Sequence, residues 1–233
     1  MRPRTPYFEI GIKNYIFGDD VLRIAKAADT AAVRYDVDVM LITPYTEIRR
    51  VAEQTERLIV LAPYMDLLRP GRGMADVLPE ALQSAGAQGV VINHCERPVP
   101  LSTVSATIRR ARELGLLSLV CVDTIEEARA VAILGPDIIN PEPTELIGGQ
   151  QASGMDYMQE SVRAIKAIDP NIIVEQSGGI TTPEQVYELV LAGMEAVGSA
   201  SGVLRSADPI GMAEAMIRSV RSALDERGRR RVS

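Results

Sequence analysis

Residues 116–140 read LLSLVCVDTIEEARAVAILGPDIIN. The opening run, LLSLVCV, is short, apolar and rich in branched side chains, as a strand buried on both faces must be. A longer helix-compatible segment follows, and DIIN then begins a second strand. A connection of that length suits a crossover helix between parallel strands better than a hairpin. The same unit recurs in both directions. FEIGI at 8–12 precedes a helix from about Asp19, and VDVMLI at 37–42 precedes one from about Thr46. LIVLA at 58–62, GVVIN at 89–93, NIIVE at 171–175 and AVGSA at 196–200 complete the series. Eight strands alternating with eight helices predict an α/β protein whose sheet closes into a (β/α)8 barrel. An open doubly wound sheet is disfavoured, because no strand runs directly into GxGxxG and the rhythm has no break half-way.

Helix punctuation agrees. Thr181-Thr182-Pro183-Glu184 and Ser206-Ala207-Asp208-Pro209 place capping residues and a proline where helices should start, and Asp169-Pro170 closes another. The longest strand-to-helix connection runs from Pro63 to Val77. No linker or low-complexity tract divides the chain, so residues 1–233 read as one domain with a flexible basic tail from about 226, ERGRRRVS.

Composition excludes several classes of function. With 233 residues, 46% of them hydrophobic, the chain can bury a full core. Its 31 acidic and 25 basic residues give a net charge of −6, which repels nucleic acid. No apolar run is long enough to span a membrane, and MRPRTPYFEI lacks the apolar centre of a signal peptide. Two cysteines, Cys95 and Cys121, are too few for a disulfide framework, form no CxxC pair and read as packing residues in a cytoplasmic protein. No cluster of metal ligands stands out, so neither a metal nor an organic cofactor is expected.

A barrel of this kind carries its chemistry at the C-terminal ends of its strands. That filter selects Lys13 after FEIGI, His94 after GVVIN and Glu142 after DIIN. It also selects Ser177, Gly178 and Gly179 after strand seven, and Ser199, Ala200, Ser201 and Gly202 after strand eight. His94 is the only histidine, and alone it would say little. With an ammonium and a carboxylate at matching strand ends it becomes a candidate for proton transfer. Glu142 lies between Pro141 and Pro143, which restrict the backbone and aim the side chain. Glu145 is a competing carboxylate one turn further along. The turns SGGI and SASGV let backbone N–H groups approach an anion closely, as a phosphate cradle requires.

Taken together these residues resemble triosephosphate isomerase, in its short archaeal-type form. GIKNY is similar to that family's NFKTY, NHCER to NHSER, and EPTELIGG to EPPELIGTG. LPEALQSAGAQGVVINHCE, RARELGLLSLVCV, LGPDIINPEPTELIG, SGGITTPEQV and SASGVLRSADP follow the same form in order, across nearly the whole chain. The resemblance implies a TIM barrel acting on a small phosphorylated sugar through an enediolate. Glu142 would remove a proton beside the carbonyl, His94 would polarise that carbonyl, and Lys13 would stabilise negative charge. Ile147, Gly148 and Gly149 would join Gly179, Ala200 and Ser201 around the phosphate, with the EPTELIGGQ loop closing over it. A homo-oligomer, dimer or tetramer, is also implied.

The departures fall on the substrate side. The family's active-site asparagine, two residues before the lysine, is Gly11 here. Its interfacial threonine on the third loop is matched by Met74, and its glutamine after strand three is replaced around Pro63-Tyr64. The segment between Gly149 and Met155 is shorter. These changes reshape the pocket while keeping the trio, so a paralogue acting on a tetrulose phosphate such as erythrulose phosphate is one expectation. A silent phosphometabolite-binding protein is the alternative from another class.

Overall fold

The computed structural model describes residues 2–144 and 154–232. Eight strands form a closed parallel barrel in sequence order: β1 (Tyr7–Gly11), β2 (Val39–Ile42), β3 (Leu58–Ala62), β4 (Gly89–Ile92), β5 (Leu117–Val122), β6 (Ile138–Pro141), β7 (Ile173–Gln176) and β8 (Ala196–Ser199). Closure comes from β1 pairing with both β2 and β8, so that Glu9 stands beside Met40 on one side and Gly198 on the other.

The helices of the outer layer follow their strands. They are α1 (Asp19–Tyr35), α2 (Ile48–Gln54), α3 (Pro79–Ser84), α4 (Leu101–Glu113), α5 (Ile125–Ala132), α6 (Met155–Lys166) and α7 (Pro183–Leu191), then α8 (Ser201–Leu204) and α9 (Pro209–Val232). α1 shows why they pack. Val21, Leu22, Ile24, Ala25, Ala28, Ala31 and Ala32 recur at three- and four-residue spacing and are buried on one face. α7 begins as its sequence requires: Thr182 caps it reciprocally with Gln185, and Pro183 occupies the first turn. The short α8 is an addition to the eight expected helices, inserted between β8 and the last long helix. Among the described residues, no helix is long and apolar enough to cross a membrane.

Residues from 226 onward read as a flexible basic tail from sequence alone, but α9 continues through them to Val232. The cause is tertiary. Glu226 accepts a hydrogen bond from the Tyr187 hydroxyl at 2.5 Å, and Arg227 donates to the carbonyl of Val190 at 3.3 Å, tying the helix to α7.

The apolar core has two layers. The larger lies between barrel and helices and includes Phe8, Ile10, Val39, Leu41, Val60, Val90 and Val120. The smaller fills the barrel itself with Tyr7, Met40, Ile59, Leu61, Val91, Leu117, Leu119, Ile138, Ile173 and Ala196. Alternation along each strand sorts side chains between these layers. On β1 it sends Tyr7, Glu9 and Gly11 inward, and along β7 and the residue that follows it sends Ile173, Glu175 and Ser177 inward. Polar side chains therefore replace the apolar filling toward the C-terminal end of the barrel.

Candidate active site

At that end a cavity of about 330 Å³ opens, and Lys13, His94 and Glu142 all line it. Ser177, Gly178, Gly179, Ala200, Ser201 and Gly11 line it as well. Gly202 does not. A side chain there would come within 2.4 Å of the Ile180 carbonyl and 2.6 Å of Ser199 Oγ, so its lack of one lets the loops after β7 and β8 pack together. Ile147, Gly148, Gly149 and Glu145 lie outside the described residues.

His94 is held by a turn built from its neighbours. Asn93 adopts a left-handed conformation, φ 61°, which asparagine tolerates better than most residues. Its side chain donates to the Cys121 carbonyl at 3.0 Å and accepts from the Val99 N–H at 3.0 Å, pinning both limbs of the turn. The Glu96 N–H donates to His94 Nδ1 at 3.1 Å. Nδ1 is therefore an acceptor, and in the neutral ring the proton sits on Nε2. Burial lowers the affinity of the imidazole for a second proton, and the Lys13 ammonium lowers it further, while Glu96 works weakly the other way. His94 is thus a neutral hydrogen-bond donor rather than an imidazolium. Cys95 Sγ lies 3.8 Å from Nδ1, but burial raises its thiol pKa, so this pair is no thiolate nucleophile.

Lys13 also has a left-handed backbone, φ 49°, a strained placement for a lysine that aims its side chain across the mouth of the barrel. Its Nζ lies 3.5 Å from Glu96 Oε1. Glu96 thus orients both the ammonium and, through its backbone, the imidazole, a role the sequence signals only by adjacency.

Glu142 follows directly on β6, with its N–H donating to the Val122 carbonyl at 2.8 Å. The residue is buried, and burial raises its carboxyl pKa above the ordinary value, whereas Lys13 and the Ser177 hydroxyl pull it back toward ionisation. Ser177 in turn accepts from Asn140 Nδ2 at 2.7 Å. A buried but still ionisable carboxylate has the basicity that a general base needs. Gly178, at φ 74°, packs against it: a Cβ at that position would lie 2.8 Å from Glu142 Oε1. Thr144, two residues beyond Glu142, donates its N–H to Asp123 Oδ1 at 2.5 Å, and Tyr157 of α6 donates to the Asp123 carbonyl at 3.2 Å. Asp123 thereby fastens the chain on both sides of residues 145–153.

Sequence reasoning passed over the floor of the cavity. Glu9 and Glu175 are buried there at 5% and 1% exposure, and the Tyr7 hydroxyl donates to Glu175 Oε2 at 2.7 Å. Desolvation, reinforced by the neighbouring carboxyl, raises Glu9 well above the usual range, and burial carries Glu175 up to about 7. The signal existed: a glutamate at an inward position of FEIGI or NIIVE is expensive to bury unless it has work to do. Arg97 and Tyr64 form one wall, with the guanidinium 4.0 Å from the ring centre.

A closed barrel that gathers a buried carboxylate, a neutral imidazole and an ammonium above one cavity, with glycine-rich turns beside them, defines an enzyme of proton transfer on anionic substrates. The triosephosphate isomerase family model matches residues 11–214. The triosephosphate isomerase of Methanobacterium bryantii is 34% identical over 214 residues, covering 88% of this chain and 92% of the relative. That of Sulfurisphaera tokodaii is 32% identical over 228 residues, covering 96% and 99%. That of Methanoculleus marisnigri is 34% identical over 225 residues, covering 94% and 99%. The chain belongs to the triosephosphate isomerase family.

Proposed function

We propose that this protein isomerises a small sugar phosphate by moving a proton between adjacent carbons through an enediolate. The observation that carries the reading is the neutral, Nε2-protonated His94 sharing a cavity with the buried carboxyl of Glu142. In this scheme Glu142 takes the proton from the carbon beside the carbonyl. His94 Nε2–H donates to the carbonyl oxygen as negative charge gathers on it, and the Lys13 ammonium offsets that charge. Glu142, now protonated, returns the proton to the neighbouring carbon, while His94 gives its Nε2 proton to the former carbonyl oxygen and takes back the hydroxyl proton from the oxygen that becomes the carbonyl, so atoms and charge balance. The phosphate rests on backbone N–H groups of the turns around Gly178-Gly179 and Ala200-Ser201. The positive-φ glycines and the starting turn of α8 support that placement. Neither a metal nor an organic cofactor takes part in this scheme.

We also infer a homo-oligomer, supported by the exposure of Phe17 and Met74 near the mouth of the barrel. The two free cysteines suit a cytoplasmic setting.

Solvent-deuterium incorporation into a panel of triose and tetrose phosphates, followed by NMR, tests the reading directly. Exchange that Glu142→Gln removes supports it. Exchange into no member of the panel rejects it.

A further inference from the structure

Glu9 is the member of the cavity that the proton-transfer scheme leaves idle. It rises from the barrel interior, is 5% exposed, and its Oε1 has no hydrogen-bond partner among the described residues. Two glycines make the room it fills. A Cβ at Gly198, its neighbour in register, would lie 2.4 Å from Glu9 Oε2, and one at Gly11 would lie 3.3 Å from Oε1 and 3.4 Å from the Ala200 side chain. Where the family resemblance leads one to expect an amide at position 11, this chain has empty space, and a carboxyl anchored two residues lower stands beneath it. Two residues along a strand correspond to roughly 7 Å of depth.

The unpartnered oxygen has company. Thr43 Oγ1 and Asn140 Oδ1 are also buried without a partner among the described residues, and both residues line the same cavity. Buried polar groups are normally paired, so a floor carrying three open hydrogen-bonding positions is shaped for a hydroxylated ligand. A triose phosphate has nothing left to offer them. Its two reacting carbons present their oxygens to His94 and Lys13, and its third carbon carries the phosphate.

We propose that Glu9 determines substrate choice, taking the hydroxyl of one further carbon attached to the reacting pair on the side away from the phosphate. This rests on the isomerase reading above. The chemical class is then a tetrulose 1-phosphate: phosphate on C1, carbonyl at C2, and a terminal hydroxymethyl reaching the floor. Glu142 removes the C3 proton, the enediolate spans C2 and C3, and return of that proton to C2, with the C3 hydroxyl proton passing by way of His94 to the C2 oxygen, leaves the carbonyl at C3. One ketose phosphate becomes its isomer with no atom gained or lost. The environment of Glu9 suits a hydroxyl partner. Burial and the nearby Glu175 carboxyl favour its protonated form, which can donate and accept at once and does not repel a phosphorylated substrate.

The test compares kcat/KM for erythrulose 1-phosphate and dihydroxyacetone phosphate, with deuterium incorporation followed for both, in wild type, Glu9→Leu and Glu9→Gln. The wild type should prefer the tetrulose. Glu9→Leu, similar in size but without polar atoms, should lower the tetrulose-to-triose ratio about 100-fold, and Glu9→Gln, which keeps a donor and an acceptor, should recover it to within about tenfold of wild type. Should Glu9→Leu fail to fold, Glu9→Asp, which withdraws the carboxyl by one carbon, should lower the ratio about tenfold. A wild-type preference for the triose, or a ratio unmoved by these variants, overturns the assignment. In that case triose exchange that Glu142→Gln abolishes would leave the isomerase reading standing. Absence of exchange into both probes would reject reading and assignment together.

Discussion

Replacing Glu175 with glutamine tests whether the barrel floor holds a carboxyl that prefers to be neutral. The side chain is 1% exposed, accepts from the Tyr7 hydroxyl, and has its pKa moved from 4.5 to about 7 chiefly by burial. A folded-state pKa above the unfolded one means that the native protein holds more protons between these values, so stability must fall as pH rises through that window. The contribution is fully present below about pH 4.5 and is lost by the time the folded carboxyl has ionised near pH 7. Each tenfold change in protonation is worth about 1.4 kcal/mol, which makes the loss about 3 kcal/mol. Glutamine preserves the acceptor for Tyr7 but cannot ionise. Urea unfolding across the pH range should therefore find variant and wild type nearly equal near pH 4.5, with the variant ahead by about 3 kcal/mol near pH 8. A gap that does not widen with pH, or a variant that is the weaker of the two at high pH, refutes the reasoning.

Other expectations concern the reacting groups. Glu142→Gln should lower kcat by about 10³-fold, read by deuterium incorporation, with inorganic phosphate still binding. Because burial raises the pKa of Glu142 while Lys13 pulls it down, the acid limb of the kcat/KM profile should lie above the ordinary carboxylate value, and Lys13→Met should move it further alkaline; a limb that stays in place contradicts the pairing. Gly178→Ala forces a side chain into a left-handed position 2.8 Å from Glu142 Oε1, so turnover should fall about tenfold or more and stability by about 1–2 kcal/mol, measured by kinetics and denaturation. Sedimentation should find a dimer or tetramer, and Phe17→Asp with Met74→Asp should shift it toward monomer.

Some of this architecture was legible before any coordinates because strands buried on both faces cannot disguise themselves. VDVMLI, LIVLA and GVVIN are too short and too apolar to be surface helices, and their spacing leaves room only for crossovers. Lys13, His94 and Glu142 stand out as candidates because chemistry in such a barrel sits at strand ends, where they interrupt apolar runs, and the structure brings all three to one cavity. What stayed hidden depends on contacts that no local pattern encodes. The end of α9 is fastened to α7 by contacts across the helix layer, Tyr187 donating to Glu226 and Arg227 to the Val190 carbonyl. Glu9 is readable as a strand residue, yet the room its carboxyl takes from the absent side chains of Gly11 and Gly198 appears only when β1 and β8 pair. Gly202 reads as a cradle residue by its place in SASGV, whereas in the fold its missing side chain clears the Ile180 carbonyl on a different loop.

On the proposed scheme, this division lets substrate choice drift while the chemistry holds. The reacting groups are aimed by backbone devices: the left-handed Lys13 and Asn93, the Glu96 N–H on His94, and the prolines flanking Glu142. None of these depends on which side chains fill the interior of the barrel. The floor is built instead from inward side chains of β1, β6 and β7, and two glycines suffice to admit a carboxyl there. A change at positions 9 and 11 therefore alters what the cavity can hydrogen-bond without displacing the base or the imidazole. If that independence is real, exchanging Glu9 should move the preference between substrates while the acid limb governed by Glu142 shifts little for whichever substrate still turns over. A large shift of that limb in Glu9→Gln would show that floor and base are electrostatically one unit, and substrate choice could then not change without cost to the proton transfer.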